Sequence, residues 1–346
     1  MIKRSGNKDM PGGKGNEAVG VRRVFKWPGW MRSGFMPSGG ALSGALLFLQ
    51  AVMAFFFIFL FPPGAGAADG KQGGRISVFV SIAPQKYFVE QIAGDMAEVR
   101  VMAPPGASPA VYEPKPKQMA AVSRTKIYFA VGVPFESAWL KKIAGVNPDM
   151  WIVDTGRGIE KRFMTGFGQK KIKHHGVCEE SHGHGMRDPH IWTSPPLVMS
   201  QARLILEAFQ KIDPSRAPAY QANFEIFNRS LKELDAEFSK IFQGKQGMCF
   251  MTFHPSWGYF ARSYGLTQIP IEMEGKELKP TQLKELIQRA KEIDIKVIFV
   301  QPQFSSRSAR QIAREIGGRI AIADPLGENW MENMRNVALT FNAALK

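Results

Sequence analysis

Three side chains of metal-ligand type occur in matching settings. His254 follows the apolar run Met248-Cys249-Phe250-Met251-Thr252 and precedes Tyr259-Phe260-Ala261-Arg262-Ser263-Tyr264, which has helical spacing. An unbroken apolar run of that length reads as a buried strand of a parallel sheet. His254 then lies just past the carboxyl end of a strand, where open α/β sheets place their ligands. His190 stands in Asp188-Pro189-His190-Ile191-Trp192, and Asp324 in Ala323-Asp324-Pro325-Leu326. One histidine after a strand is most often a satisfied structural group. Two imidazoles and a carboxylate in the same kind of setting point to a metal site instead.

The elements that must position these residues alternate. Strands are expected at Arg75–Ile82, Glu98–Met102, Lys126–Val131 and Met150–Asp154, with helices opening at Ala83-Pro84 and covering Lys117 to Ser123 and Trp139 to Ile143. That rhythm implies a parallel sheet with right-handed crossovers. The same rhythm returns with strands at Met248–Phe253, Gln268–Ile271, Lys296–Val300 and Arg319–Ile322, and with helices from Thr281, Ser306 and Trp330. Between the halves, Tyr220, Phe224, Phe227, Leu231, Leu234, Phe238 and Ile241 recur at steps of four and three. They make one apolar stripe on a helix of about twenty-five residues, roughly 37 Å long, running from about Ala219 to Phe242. Its length and place suggest that it bridges the two halves. The expected fold class is α/β, with two Rossmann-like lobes of parallel sheet joined by one long α-helix. The expected boundaries are 1–68, 69–213, 214–244 and 245–346.

Residues 1–68 belong to neither lobe. The first forty hold eight Lys/Arg against Asp9 and Glu17, Ala41 to Phe61 carries no charge, and small residues end the stretch at Ala65-Gly66-Ala67-Ala68. A positive segment, an apolar core and an Ala-x-Ala site describe an export signal. An uncleaved membrane anchor is the rival, since twenty-one uncharged residues just span a bilayer. Either way the remainder is delivered beyond the cytoplasmic membrane. Of the formal charge of +15, +6 lies in the first forty residues (eight minus two), and the remaining +9 is scattered, with no basic stripe of the nucleic-acid-binding kind. Two cysteines, Cys178 and Cys249, make no disulfide framework. Cys249 reads as a small core residue and no bond to Cys178 is expected. Residues 170–187 are polar and hold four of the six histidines, His174, His175, His182 and His184. With Cys178, Glu179 and Glu180 this loop carries enough donors to bind metal unaided.

The exported part resembles the zinc and manganese solute-binding proteins of ABC transporters. The matching stretches are Pro109-Ala110-Val111-Tyr112-Glu113-Pro114, Asp188-Pro189-His190-Ile191-Trp192, Phe253-His254-Pro255-Ser256-Trp257-Gly258-Tyr259-Phe260-Ala261, Glu274-Gly275-Lys276-Glu277-Leu278-Lys279-Pro280, Val300-Gln301-Pro302-Gln303-Phe304 and Asp324-Pro325-Leu326-Gly327. The resemblance implies a periplasmic or otherwise extracytoplasmic monomer that hands metal to an ABC permease. It places the metal in the cleft between the lobes, with His190 from the first and His254 and Asp324 from the second. Those donors suit Zn(II) at neutral pH, and Mn(II) less selectively. Trp192 and Trp257 would wall off water, and a backbone carbonyl beside each imidazole would fix its tautomer. The loop around His174, His175, His182 and His184 resembles a histidine-rich capture loop. One position departs: Ala110 stands where the family usually has a histidine, which leaves a ligand to be found among Glu113, Tyr112, water or the loop. Two other functions stay open. A membrane-tethered adhesin or sensor would use the same fold. A zinc hydrolase would need Glu113 or Glu272 as general base, yet neither lies in a His-Glu-x-x-His pattern, so no enzyme is expected.

Overall fold

The structure is a computed structural model that describes residues 74–164, 186–273 and 276–345. The expected export segment, residues 1–68, and the loop histidines His174, His175, His182 and His184 lie outside these residues. Among those described, no helix is long and apolar enough to cross a membrane.

The first lobe runs β1 (Ile76–Ile82), α1 (Ala83–Ala93), β2 (Ala97–Ala103), α2 (Pro116–Val122), β3 (Ile127–Ala130), α3 (Pro134–Val146) and β4 (Trp151–Asp154). Its sheet has the order β2-β1-β3-β4, with every pairing parallel. All four residues of β3 are buried, as a central strand covered by helices on both faces requires. Helix α3 begins earlier than its apolar residues suggest. Pro134 occupies its first turn, where a missing N–H costs nothing. The Glu136 carboxylate accepts from the backbone N–H groups of Val131 (3.0 Å) and Gly132 (2.8 Å). Gly132 has φ 89°, and a Cβ there would meet Lys161 Nζ at 2.1 Å, so the turn demands glycine. Burial pushes the Glu136 carboxyl above the usual carboxylate range, and its hydrogen bonds and Lys161 oppose that shift.

After the first lobe come α4 (Pro195–Ile212) and α5 (Ala217–Ile241). Helix α5 is unbroken over 25 residues and buries Tyr220, Phe224, Phe227, Leu231, Leu234 and Phe238, six members of the expected stripe. The second lobe holds β5 (Cys249–Thr252), α6 (Gly258–Ser263), β6 (Thr267–Pro270), β7 (Glu272–Met273), β8 (Lys276–Glu277), α7 (Pro280–Glu292), β9 (Val297–Val300), α8 (Arg307–Glu315), β10 (Arg319–Ile322) and α9 (Trp330–Ala344). Its main sheet has the order β10-β9-β5-β6, again all parallel. The antiparallel pair β7–β8 has no counterpart in the expected elements. Each strand is only two residues long, too short for periodicity to reveal.

One hydrophobic core passes from β1 and β3 through α4 and α5 into β5, α6 and α9. A second, smaller core fills the far side of the second sheet around Met251, Ile298 and Ile312. The lobes therefore share apolar interior. Trp330 of α9 shows how: its ring lies 5.1 Å from Phe88 and 6.3 Å from Tyr87, both in α1, centroid to centroid.

Cys249 corrects one expectation, because it is disulfide-bonded. Cys178, the only other cysteine in the sequence, lies outside the described residues. Distance along the chain was a poor guide here, since closing a long loop costs little more than closing a short one. Such bonds persist in oxidising compartments.

Phe341→Ala removes the ring that joins β5, β9 and α6. The expected result is a loss of about 3–5 kcal/mol of unfolding free energy in a denaturant titration. A loss below about 1 kcal/mol would show that this ring cluster is not what holds α9 against the second sheet.

Candidate metal centre

The Asp188-Pro189-His190 turn makes its own support. Asp188 Oδ1 accepts from the His190 backbone N–H (2.9 Å) and from the ring Nδ1 (2.7 Å). Asp188 is in turn held by the second lobe. Its carbonyl accepts from the Tyr259 hydroxyl (3.0 Å), and a Cβ on Gly258 would stand 3.1 Å from its Oδ2. Burial, then the Asp188 charge, pushes the Tyr259 hydroxyl up to about 12, so it remains a donor at neutral pH.

His254 is fixed just as tightly by different partners. Gln301, at the end of β9, donates to the His254 carbonyl (2.8 Å) and to Ser256 Oγ (3.0 Å), and its Oε1 accepts from the His254 N–H (3.3 Å). The ring Nδ1 lies 2.5 Å from Glu272 Oε1, and Phe304 stacks on the ring at 4.8 Å and 22°. A carboxylate oxygen only accepts, so both Nδ1 atoms carry the proton and both Nε2 atoms present lone pairs. Those two Nε2 atoms face each other at 3.4 Å. Carboxylates, not the backbone carbonyls expected from the sequence, set both tautomers. Asp188 and Glu272 are thus the positioning residues that sequence reasoning missed, although Asp-x-His spacing was a usable signal for the first. For Glu272 there was none, because eighteen residues and a sheet crossing separate it from His254.

The other expected residues are distributed less evenly. Asp324 Oδ1 accepts from Gln303 Nε2 and from the Leu326 N–H, each at 2.9 Å, and its carbonyl accepts from Asn333. The pairing with Asp324 sets the Gln303 amide orientation, which leaves Gln303 Oε1 buried without a partner. His190, His254, Gln303 and Ala110 line one cavity of about 350 Å³, beside Pro325 and Leu326 but without Asp324. Among the described residues, no three His, Cys, Asp or Glu side chains are grouped to hold a metal ion. Glu113 is exposed and outside the cavity wall, and the Tyr112 hydroxyl is engaged with Gln118 (2.7 Å). Trp192 does line the cavity. Trp257 does not. It is fully buried and packs edge-on against Phe260 and Phe341.

Two lone pairs at 3.4 Å repel unless a cation stands between them. Two nitrogens on one tetrahedral ion, each 2.0–2.1 Å from it, are about 3.3–3.4 Å apart. At the right angle of an octahedral ion the same bonds give about 2.9 Å. The observed separation fits the tetrahedral case. Burial, more than any neighbouring charge, holds His254 below the ordinary imidazole value of 6.5, although Glu272 opposes it.

The lobes are locked around this pair. Trp192 Nε1 donates to the Pro325 carbonyl (2.7 Å), Trp330 Nε1 to the Trp192 carbonyl (2.8 Å), and Arg162 to the Gly258 carbonyl (3.1 Å). Two doubly wound lobes, one rigid connecting helix and paired imidazoles at the cleft define a two-lobed solute-binding protein. The chain belongs to the zinc-uptake complex component A periplasmic family (ZnuA), whose model matches residues 78–344. It is 30% identical over 266 residues to the high-affinity zinc uptake system protein ZnuA of Bacillus subtilis, covering 75% of this chain and 81% of that one. To the zinc-binding protein AdcA of Streptococcus pyogenes it is 26% identical, and there it spans about half of the relative's length. A crystal structure of a ZnuA deletion mutant with zinc bound superposes with a TM-score of 0.71 at 39% identity, over 79% of this chain and 98% of that one.

Removing a carboxylate behind either imidazole should weaken metal binding without dismantling the cleft. Asp188→Asn and Glu272→Gln are each expected to lower zinc affinity about 10–100-fold. Burial favours the neutral His254 ring, and protonating an imidazole removes its lone pair, so the wild-type affinity should weaken as pH falls toward 5.5. Calorimetric titrations at pH 7.5, 6.5 and 5.5 check both statements. Unchanged affinity in both variants would remove the carboxylates from the account.

Proposed function

We propose that this protein captures a divalent transition metal outside the cytoplasmic membrane and delivers it to the permease of an ABC transporter. Zn(II) is the preferred ion and Mn(II) the second. His190 and His254 bind through Nε2, and Asp324 turns its free carboxylate oxygen toward the same ion. The observation that carries the reading is the 3.4 Å separation of two imidazole nitrogens whose other faces are held by carboxylates. A hydrolase would need a base free to activate metal-bound water. Glu272 is committed to His254 and Glu113 lies away from the cavity, which supports binding over catalysis. Zinc in the names of the relatives, and membership of a periplasmic uptake family, support the ion and the compartment.

The shared core and the interlobe hydrogen bonds favour a cleft that changes little on loading. Release to a permease would then act on one wall of the cleft and not through a wide hinge.

Ala110 lines the cavity that holds both histidines, so the ligand absent there can be restored. Calorimetry of three proteins tests the reading. The parent should bind one zinc ion per chain, and His254→Ala should bind at least about a hundredfold more weakly, a cost of about 2.7 kcal/mol. Ala110→His should bind about tenfold or more tightly than the parent. Unchanged affinity in His254→Ala would overturn the site.

A further inference from the structure

The cavity at the two histidines is far larger than a metal ion requires. About 350 Å³ is the liquid volume of about ten waters, whereas an ion on two imidazoles needs only one or two more donors. The walls do not suit so much water. Val111, Val133, Met164, Met186, Phe304 and Leu326 all face this space. Two of them are unusually open for apolar residues: Val111 is 80% exposed and Met186 42%. Exposed apolar surface gathered at the rim of a concave site marks a binding surface for carbon as well as for polar atoms.

Charge narrows the occupant further. Among the described residues, no lysine or arginine lines the cavity, and the one carboxylate there, Glu272, is engaged with His254. A free anion would find no counter-charge there. An anion already coordinated to a divalent cation would bring its own.

We propose that the species this cleft takes is a divalent metal ion already held by a small amino-carboxylate chelator, with up to roughly ten non-hydrogen atoms. The proposal rests on the reading that His190 and His254 bind metal, and it names the form in which the metal arrives. The chelator's amine nitrogen and carboxylate oxygen take the positions that Ala110 leaves without a donor, displacing water from the ion. Its carbon atoms lie against Val111, Phe304 and Leu326. The two imidazoles and the chelator complete a four-coordinate shell, which Asp324 extends to five. A single negative charge on the chelator leaves a complex of low net charge, matched to walls that offer no ion pair.

L-histidine is a suitable probe, because it chelates zinc and its imidazole adds the kind of donor Ala110 lacks. Zinc affinity is measured at buffered free zinc concentrations with and without L-histidine. Retention of radiolabelled L-histidine by the protein is followed by equilibrium dialysis. The expected result is at least a tenfold tighter apparent zinc affinity with L-histidine, and one labelled molecule retained per chain only when zinc is present. Val111→Trp, which places an indole at the rim, should abolish both effects while leaving zinc binding without L-histidine unchanged. If L-histidine is not retained, or leaves the affinity at fixed free zinc unaltered, the chelate proposal is wrong and the metal site stands. If Val111→Trp keeps the full gain, the chelator does not lie in this cavity and the proposal is equally wrong. If the parent binds no zinc under either condition, it is the metal-binding reading that fails.

Discussion

Two imidazole nitrogens, each with a lone pair and each unable to turn away, face one another across the cleft at 3.4 Å. Left alone this is an unfavourable contact, because a carboxylate behind each ring holds the proton on the far nitrogen. Asp188 and Glu272 thus do two things at once. They make both Nε2 atoms basic, and they prevent either ring from rotating to relieve the repulsion. Much of the remaining architecture keeps this arrangement in place. His190 arrives from the loop before α4, His254 from the end of β5, and Glu272 from the strand beyond β6. Each depends on a different element.

Holding such a contact open takes a stiff frame. A hinged two-domain protein would relax by separating its halves. Here the interior is continuous from the first sheet through α5 into the second, and Trp192 and Trp330 cross-tie the lobes through buried hydrogen bonds. Asp188 itself rests on Tyr259 and Gly258 of the opposite lobe. The first-lobe histidine is therefore aimed by second-lobe residues. In the proposed site, binding strength and interlobe packing would be coupled through that one carboxylate.

Much of this was legible in the sequence because it is periodic or local. The apolar runs gave eight strands of two parallel sheets, and the four-three spacing from Tyr220 to Phe238 gave the long helix to within a few residues at each end. His254 stood out because it follows the end of an apolar run, and His190 because of the Asp188-Pro189-His190-Ile191-Trp192 stretch. What stayed hidden depends on contacts between distant segments. Glu272 could be seen only as a free carboxylate, since its role exists only once β6 and β7 bring it to His254. Trp257 sits beside His254 in sequence yet points into the core, because it opens α6 on the buried side. The Cys249 disulfide was invisible for the same reason: nothing in the spacing of two cysteines tells which loops the fold brings together.

Zinc X-ray absorption on the metal-loaded protein tests the central claim most directly. Two facing imidazoles closed by one ion predict a first shell of nitrogen and oxygen alone, at about 2.0–2.1 Å, with the outer-shell scattering of two imidazole rings. A sulfur shell near about 2.3 Å, or the absence of imidazole scattering, would contradict it.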